Sequence, residues 1–139
     1  MEDRLIVDVL VIGCGIAGGV AALRVSEDES LQVCVVSHAA EAEESNTLYA
    51  QGGIIHRGPD DTPAMLASDL TRAGDGLNNP AAVEILAQEG PPLLKALLID
   101  RLQVPFARNA DGELEYIREA AHSTKRILHV GDATGRAIE

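Results

Sequence analysis

Residues 5–12 are an almost unbroken run of Leu, Ile and Val, interrupted only by Asp8. A short β-branched run of this kind predicts a parallel strand buried on both faces. Gly13, Gly15, Gly18 and Gly19 follow it, and from Ile16 to about Val25 the spacing turns helical, with Ala17, Gly18, Ala21 and Ala22 on one side. The acidic segment 26–30 reads as a solvated turn, and residues 31–36 as a second strand of the first kind. The order is strand, helix, strand, for which a right-handed crossover is expected.

Beyond this unit the pattern is irregular from His38 to Pro59, rich in Gly, Ser and Asn. Asp60-Asp61-Thr62-Pro63 is a helix start and predicts a helix over residues 64–73. Asn79-Pro80 opens another over residues 81–89, stopped by Gly90-Pro91-Pro92, with a third short helix at 93–99. The apolar stripes of the first two suit a core. Residues 102–107 and 114–118 read as two strands of a β-hairpin, joined by the turn Asn109-Ala110-Asp111-Gly112. Asp132-Ala133-Thr134-Gly135 opens a last helix.

Composition removes several function classes. With 46% hydrophobic residues in 139, the chain is long enough for a core of its own. Aromatics are 2% and the formal net charge is -11, which excludes a stacking platform or basic face for nucleic acid. Cys14 and Cys34 make neither a disulfide framework nor a metal site; both read as small buried hydrophobes in a reducing compartment. The run from Leu5 to Leu23 has the length of a membrane span, but Asp8 and the glycines break it. Met1-Glu2-Asp3-Arg4 is no secretory leader, and the expected location is the cytoplasm.

Gly13-Cys14-Gly15-Ile16-Ala17-Gly18 fits G-x-G-x-x-G between a strand and a helix, the context in which glycines and a helix N-terminus receive a dinucleotide pyrophosphate. The fold class that follows is α/β: a Rossmann-like βαβ unit with an incomplete sheet, then short helices and a hairpin. The fingerprint does not separate NAD from FAD. The acidic residue usual at the end of the second strand is replaced by Ser37, which lowers the NAD reading more; His38 beside it is either a cofactor contact or an exposed turn histidine. The hydroxyl- and glycine-rich loop Ser45-Asn46-Thr47-Leu48-Tyr49-Ala50-Gln51-Gly52-Gly53 then suits a flat, polar-edged flavin against bare backbone.

That loop, with Leu70-Thr71-Arg72-Ala73-Gly74-Asp75-Gly76-Leu77, Arg118-Glu119-Ala120-Ala121-His122-Ser123, Arg126-Ile127-Leu128-His129 and Asp132-Ala133-Thr134-Gly135-Arg136, makes the whole chain resemble the L-aspartate oxidases. These belong to the wider succinate dehydrogenase and fumarate reductase flavoprotein family. The resemblance implies FAD as cofactor, wrapped by Asn46, Thr47, Leu48, Tyr49, Ala50, Gln51, Gly52 and Gly53, with Thr47 and Gln51 as the polar contacts. Respiratory members carry a flavin-bonded histidine where this chain has Asn46, so the FAD is expected to be noncovalent. Glu119 is implied to contact the substrate amino group; the alternative is an exposed loop carboxylate. His122 is either a polar contact there or a structural hydrogen bond. Family members usually show Gly-Gly where Ala120-Ala121 stand. His56 and His129 lack partners at metal spacing, no metal is expected, and Glu41, Glu43 and Glu44 read as a solvated face.

The implied reaction is oxidation of L-aspartate to iminoaspartate, with oxygen or fumarate as acceptor, feeding quinolinate and NAD synthesis. Small-molecule substrate and quinolinate synthase are the implied partners. By the same resemblance a capping domain supplies the acid/base arginine, so residues 1–139 are expected to be the truncated N-terminal part of an FAD-binding domain, inactive alone. Two alternatives stand beside this: a fumarate reductase or succinate dehydrogenase-like flavoprotein, and a catalytically silent FAD-binding module.

Overall fold

In the computed structural model, which describes residues 4–139, strand β1 (Val9–Ile12) pairs in parallel with β2 (Val33–Val36), Val9 opposite Val33 and Ile12 opposite Val36. Residues 1–3, part of the segment read above as no leader, lie outside the described residues. Helix α1 (Ile16–Val25) connects the two strands and packs on both. This is the strand–helix–strand unit the sequence predicts, with both strands shorter at their N-terminal ends. Asp8 explains the late start of β2 pairing: its carboxylate accepts the Gln32 N–H at 2.8 Å, while the Asp8 N–H reaches the Gln32 carbonyl. These residues, to Ala50 and with Ile138–Glu139, form the first of two units.

The expectation of strands buried on both faces is corrected here. Val9 and Val11 alternate with Leu10 and Ile12, and the latter pair are 54% and 82% exposed. A two-stranded sheet with one helix covers a single face, so the second set of apolar side chains meets solvent. Cys14 and Cys34 are free and half-buried rather than buried.

The second unit, Gln51–Ala137, holds the core: Leu66, Ala87, Leu94, Leu98, Phe106, Ile127 and Leu128 are buried. Helix α2 (Pro63–Ala73) starts as the sequence requires, with Pro63 in the first turn and the Thr62 hydroxyl accepting the Met65 N–H. Helix α3 (Pro80–Leu94) is capped by Asn79, whose side chain accepts the N–H groups of Ala81 and Ala82. The two helices pack together, burying Leu66 and Ala87.

Three expectations fail in this unit. Gly90-Pro91-Pro92 does not stop α3, which continues to Leu94 and into a π-helical segment, Lys95–Arg101, in place of a separate helix at 93–99. Pro91 lacks the N–H that would bond the Ala87 carbonyl, and the Arg57 guanidinium takes its place at 2.7 Å. The hairpin is reduced to one antiparallel bridge, Arg108 with Leu114, over the foreseen turn, in which the Asn109 side chain accepts the N–H groups of Asp111 and Glu113. Its second arm leaves the hairpin, because Ile117 bridges Ile127. Finally, the irregular region 38–59 contains a strand, β3 (Ile54–Ile55), antiparallel to β4 (Ile127–Leu128). Helix α4 (Thr134–Ile138) begins where Asp132–Gly135 predicts. No helix among the described residues is long and apolar enough to cross a membrane.

Candidate functional site

The turn after β1 makes a cradle of bare backbone. Gly13 has φ +99°, and its N–H donates to the Val36 carbonyl at 2.8 Å, tying the turn to the end of β2. A Cβ on Gly18 would collide with the Gly13 carbonyl oxygen, so helix and turn approach this closely only because Gly18 has none. Gly15 sits in extended conformation at the N-cap of α1 and has no side chain to cap the helix. The cap comes from the distant loop: Thr47 Oγ1 accepts the Ile16 N–H at 3.0 Å. Thr47 is itself set by Ser45, whose hydroxyl accepts the Thr47 N–H at 3.1 Å and donates to the Glu139 carboxylate at 2.8 Å.

Around this cradle lies an open cavity of about 490 Å³. Gly13, Cys14, Gly15, Ile16, Ala17 and Gly18 line it on the helix side, Ser37 and His38 from the end of β2, and Asn46, Thr47 and Tyr49 from the loop. Eleven of the sequence-predicted residues thus meet in one place, though the Ser37 hydroxyl is engaged with the Ala39 N–H at 3.3 Å. Leu48 and Ala50 belong to the loop without lining the cavity.

Ser45, the first residue of the predicted loop, lines it too, and so do Ile12 and Glu44, which were not foreseen. Glu44 is exposed, as a solvated face requires, but its carboxylate accepts the Tyr49 hydroxyl at 2.5 Å. The loop's own tyrosine five residues on was the available signal.

The remaining candidates, Gln51, Gly52, Gly53 and Glu119, lie in the second unit. The exposed Glu119 carboxylate accepts the Gly53 N–H at 3.4 Å and stands 3.4 Å from where a Cβ on Gly52 would be. A Cβ on Gly53 would meet Ile127 and Leu128, so this glycine lets β3 pair with β4. His56 is engaged structurally: its Nδ1 lies 3.1 Å from the Tyr116 hydroxyl, with the rings stacked at 5.8 Å. Burial lowers the His56 pKa, helped by the charges of Arg57 and Lys95, and burial raises that of Tyr116.

Behind Glu119 lies a buried cluster that sequence reasoning missed. Arg126 is fully buried and donates through Nε and Nη2 to both Asp61 oxygens, at 2.9 and 2.7 Å. Its Nη1 donates to Asp69 Oδ2 at 2.7 Å. Burial pushes the Asp69 carboxyl up, but hydrogen bonds from the Ser123 N–H, the Ser123 hydroxyl and Arg126, with the arginine's charge, outweigh it and hold the group at about 2. Arg126 stands between the apolar Ile127 and the polar Ser123-Thr124-Lys125, so the sequence offers no periodic sign of its burial.

These residues fit FAD: a helix N-terminus for the pyrophosphate, glycines where backbone must come close, and a polar loop beside them. The family model for an FAD binding domain matches residues 8–139. L-aspartate oxidase from Halobacterium salinarum is 44% identical over 99% of this chain, and that from a Nostoc species 41% over 94%. The chain covers 26% and 22% of these two proteins, so it spans about a quarter of their length. Among solved structures, Mycobacterium smegmatis Sdh1 in complex with UQ1 is 32% identical, covered to 22%, with TM-score 0.84 over 95% of this chain. The E. coli quinol fumarate reductase subunit FrdA, at 22% identity and TM-score 0.86, shares the fold. The chain belongs to the FAD-binding-domain family of flavoproteins, and its cofactor is FAD.

Proposed function

We propose that this chain forms the FAD-binding part of an L-aspartate oxidase, which converts L-aspartate to iminoaspartate. One observation carries the reading. The Glu119 carboxylate is hydrogen-bonded to Gly53, the last glycine of the loop against which the flavin is to lie, so an acceptor for an ammonium group stands beside that loop. A plain dicarboxylate would find repulsion there; an amino acid finds a partner. The similarity to L-aspartate oxidases along 99% of the chain supports the same choice.

FAD, when bound, supplies the two-electron oxidation. The chain's own residues bind and orient. The N–H groups of the first turn of α1 beyond Ile16, whose own N–H is taken by Thr47, would hold the pyrophosphate, Ser37 and His38 would meet the ribose end, and Thr47 and Gln51 would make the loop's polar contacts. Asn46 has no imidazole to bond to the flavin, so the cofactor is held noncovalently. The two free cysteines suit the cytoplasm. The product belongs to the route through quinolinate to NAD, with quinolinate synthase as the receiving partner.

The test is an absorbance spectrum of the FAD-loaded chain with acid release of the pigment and, in the full-length oxidase to which this chain is proposed to belong, anaerobic addition of L-aspartate or succinate. Flavin that leaves on acid denaturation, and bands that L-aspartate bleaches faster than succinate, are expected. Flavin retained after acid overturns the noncovalent reading. Bleaching by succinate alone assigns the chain to the fumarate reductase and succinate dehydrogenase side. Bands that ignore both substrates mark a cofactor-holding module.

A further inference from the structure

Glu119 and His122 leave one turn, closed by a hydrogen bond from the His122 N–H to the Glu119 carbonyl at 3.0 Å. The segment after them is tied down residue by residue. Arg72 Nη2 donates to the Ala121 carbonyl at 3.1 Å and to Asp69 Oδ1 at 2.7 Å. Ser123 donates its N–H and its hydroxyl to Asp69 Oδ2, at 2.7 and 2.8 Å. Between these anchors the His122 ring is half-buried, and its Nδ1 lies 3.2 Å from Arg126 Nη1.

That contact has only one chemical sense. A guanidinium has donors and no acceptor, and it keeps its proton in proteins. His122 Nδ1 must therefore be the acceptor, with its lone pair turned toward Arg126, and the ring proton must sit on Nε2. Arg126 has no freedom to offer another arrangement, because Asp61 grips it at two nitrogens and Asp69 at the third. The charges balance as well: two aspartates, Asp61 and Asp69, face two arginines, Arg126 and Arg72.

We propose that the Asp61–Arg126–Asp69 cluster fixes His122 as the tautomer protonated at Nε2, and that this N–H binds a carboxylate of the substrate. The ligand class is an α-amino acid or its dicarboxylate analogue: His122 Nε2 donates to carboxylate while Glu119, on the same turn, accepts from ammonium. Arg126, Asp61 and Asp69 are positioning residues and touch no substrate. The identity of the ligand as L-aspartate rests on the function proposed above; the tautomer does not.

The experiment is a long-range proton–nitrogen correlation of the histidine rings in the 15N-labelled chain at about pH 8, where an ordinary imidazole is neutral. His122→Gln identifies the His122 signals by their loss. The expected pattern is a protonated Nε2 and an acceptor-type Nδ1. A ring protonated on Nδ1, or averaging between tautomers, overturns the proposal.

With FAD added, L-aspartate, succinate and ethylammonium are then titrated in turn. Both carboxylates are expected to move the Nε2 signal, and ethylammonium to leave it in place. His122→Leu is expected to weaken the effective carboxylate about tenfold, and His122→Gln, which keeps an N–H donor, less than about threefold. Succinate acting where L-aspartate does not would remove aspartate as substrate and leave the His122 assignment standing. Neither carboxylate moving the signal overturns that assignment.

Discussion

Arg57 Nη2 donates to the Ala87 carbonyl at 2.7 Å, the one α3 carbonyl whose intrahelical partner would have been the missing N–H of Pro91. This bond satisfies the carbonyl that Pro91 leaves unpaired as the helix runs through Pro91-Pro92. Ala87 is itself fully buried, so the orphaned carbonyl has no easy access to water. Arg57→Met keeps much of the aliphatic stem and removes the donor. A loss of about 1–3 kcal/mol is expected, since a buried acceptor is left unsatisfied. Urea unfolding measures it, and amide exchange at residues 93–101 should accelerate more than exchange in α2.

The same bond shows where the sequence stops being legible. Gly90-Pro91-Pro92 is a stop signal on local grounds, and nothing local says that an arginine from residue 57 will replace the lost donor. Gly13 to Gly18 are different: their chemistry is complete within six residues, and the turn, the helix start and the cavity follow from it. Ile54 and Ile55 form a strand only because Ile127 and Leu128 lie opposite, a pairing of two residues with too little periodicity to detect. Leu10 and Ile12 are a subtler case, since their apolarity states what a strand prefers rather than what covers it. For the site, Thr47 was legible as a polar loop residue, but its role as the cap of α1 needs the fold.

Gly18 and Gly19 provide a paired test of the cofactor cradle. A Cβ at Gly18 collides with the Gly13 carbonyl oxygen, whereas a Cβ at Gly19 meets nothing within 4 Å. Gly18→Val must push α1 away from the turn, and overpacking of this kind costs about 1–3 kcal/mol, or roughly tenfold or more in FAD affinity. Gly19→Ala should bind FAD as the parent does and gain up to about 1 kcal/mol from helix propensity. FAD titration followed by flavin fluorescence reads the first effect, and thermal unfolding the second. Equal FAD binding by both variants would rule out close approach as the reason for Gly18.

Arg126 is the next place where one substitution should be costly. Arg126→Met leaves Asp61 without a cation and Asp69 with only the largely exposed Arg72, both carboxylates being under a tenth exposed. Breaking a buried ion pair from one side costs about 3–5 kcal/mol. The urea midpoint at pH 7 should fall accordingly. A loss below about 1 kcal/mol would mean that water reaches the cluster when the arginine is gone.

Acid stability of the second unit follows from Asp69 and His56. In the folded chain Asp69 is held at about 2 against the ordinary 3.8, the Ser123 and Arg126 hydrogen bonds and the Arg126 charge outweighing burial. A lowered folded pKa gives stability that is fully present above the unfolded value and is lost as pH falls through the folded one. The Asp69 contribution is therefore intact above about pH 5 and disappears between about pH 4 and pH 2, amounting to about 2 kcal/mol. His56 acts in the same direction at higher pH. Its pKa is lowered, chiefly by burial, so its stabilising effect is complete above the ordinary histidine value of 6.5 and declines as pH falls below it. Melting temperatures from pH 8 to pH 3 should thus fall in two stages. His56→Gln, which leaves a neutral hydrogen-bonding group against Tyr116, should remove the upper stage, and Asp69→Asn the lower. A wild-type profile flat between pH 5 and pH 3 would contradict the Asp69 assignment, because no lowered carboxyl could then be contributing to the folded state.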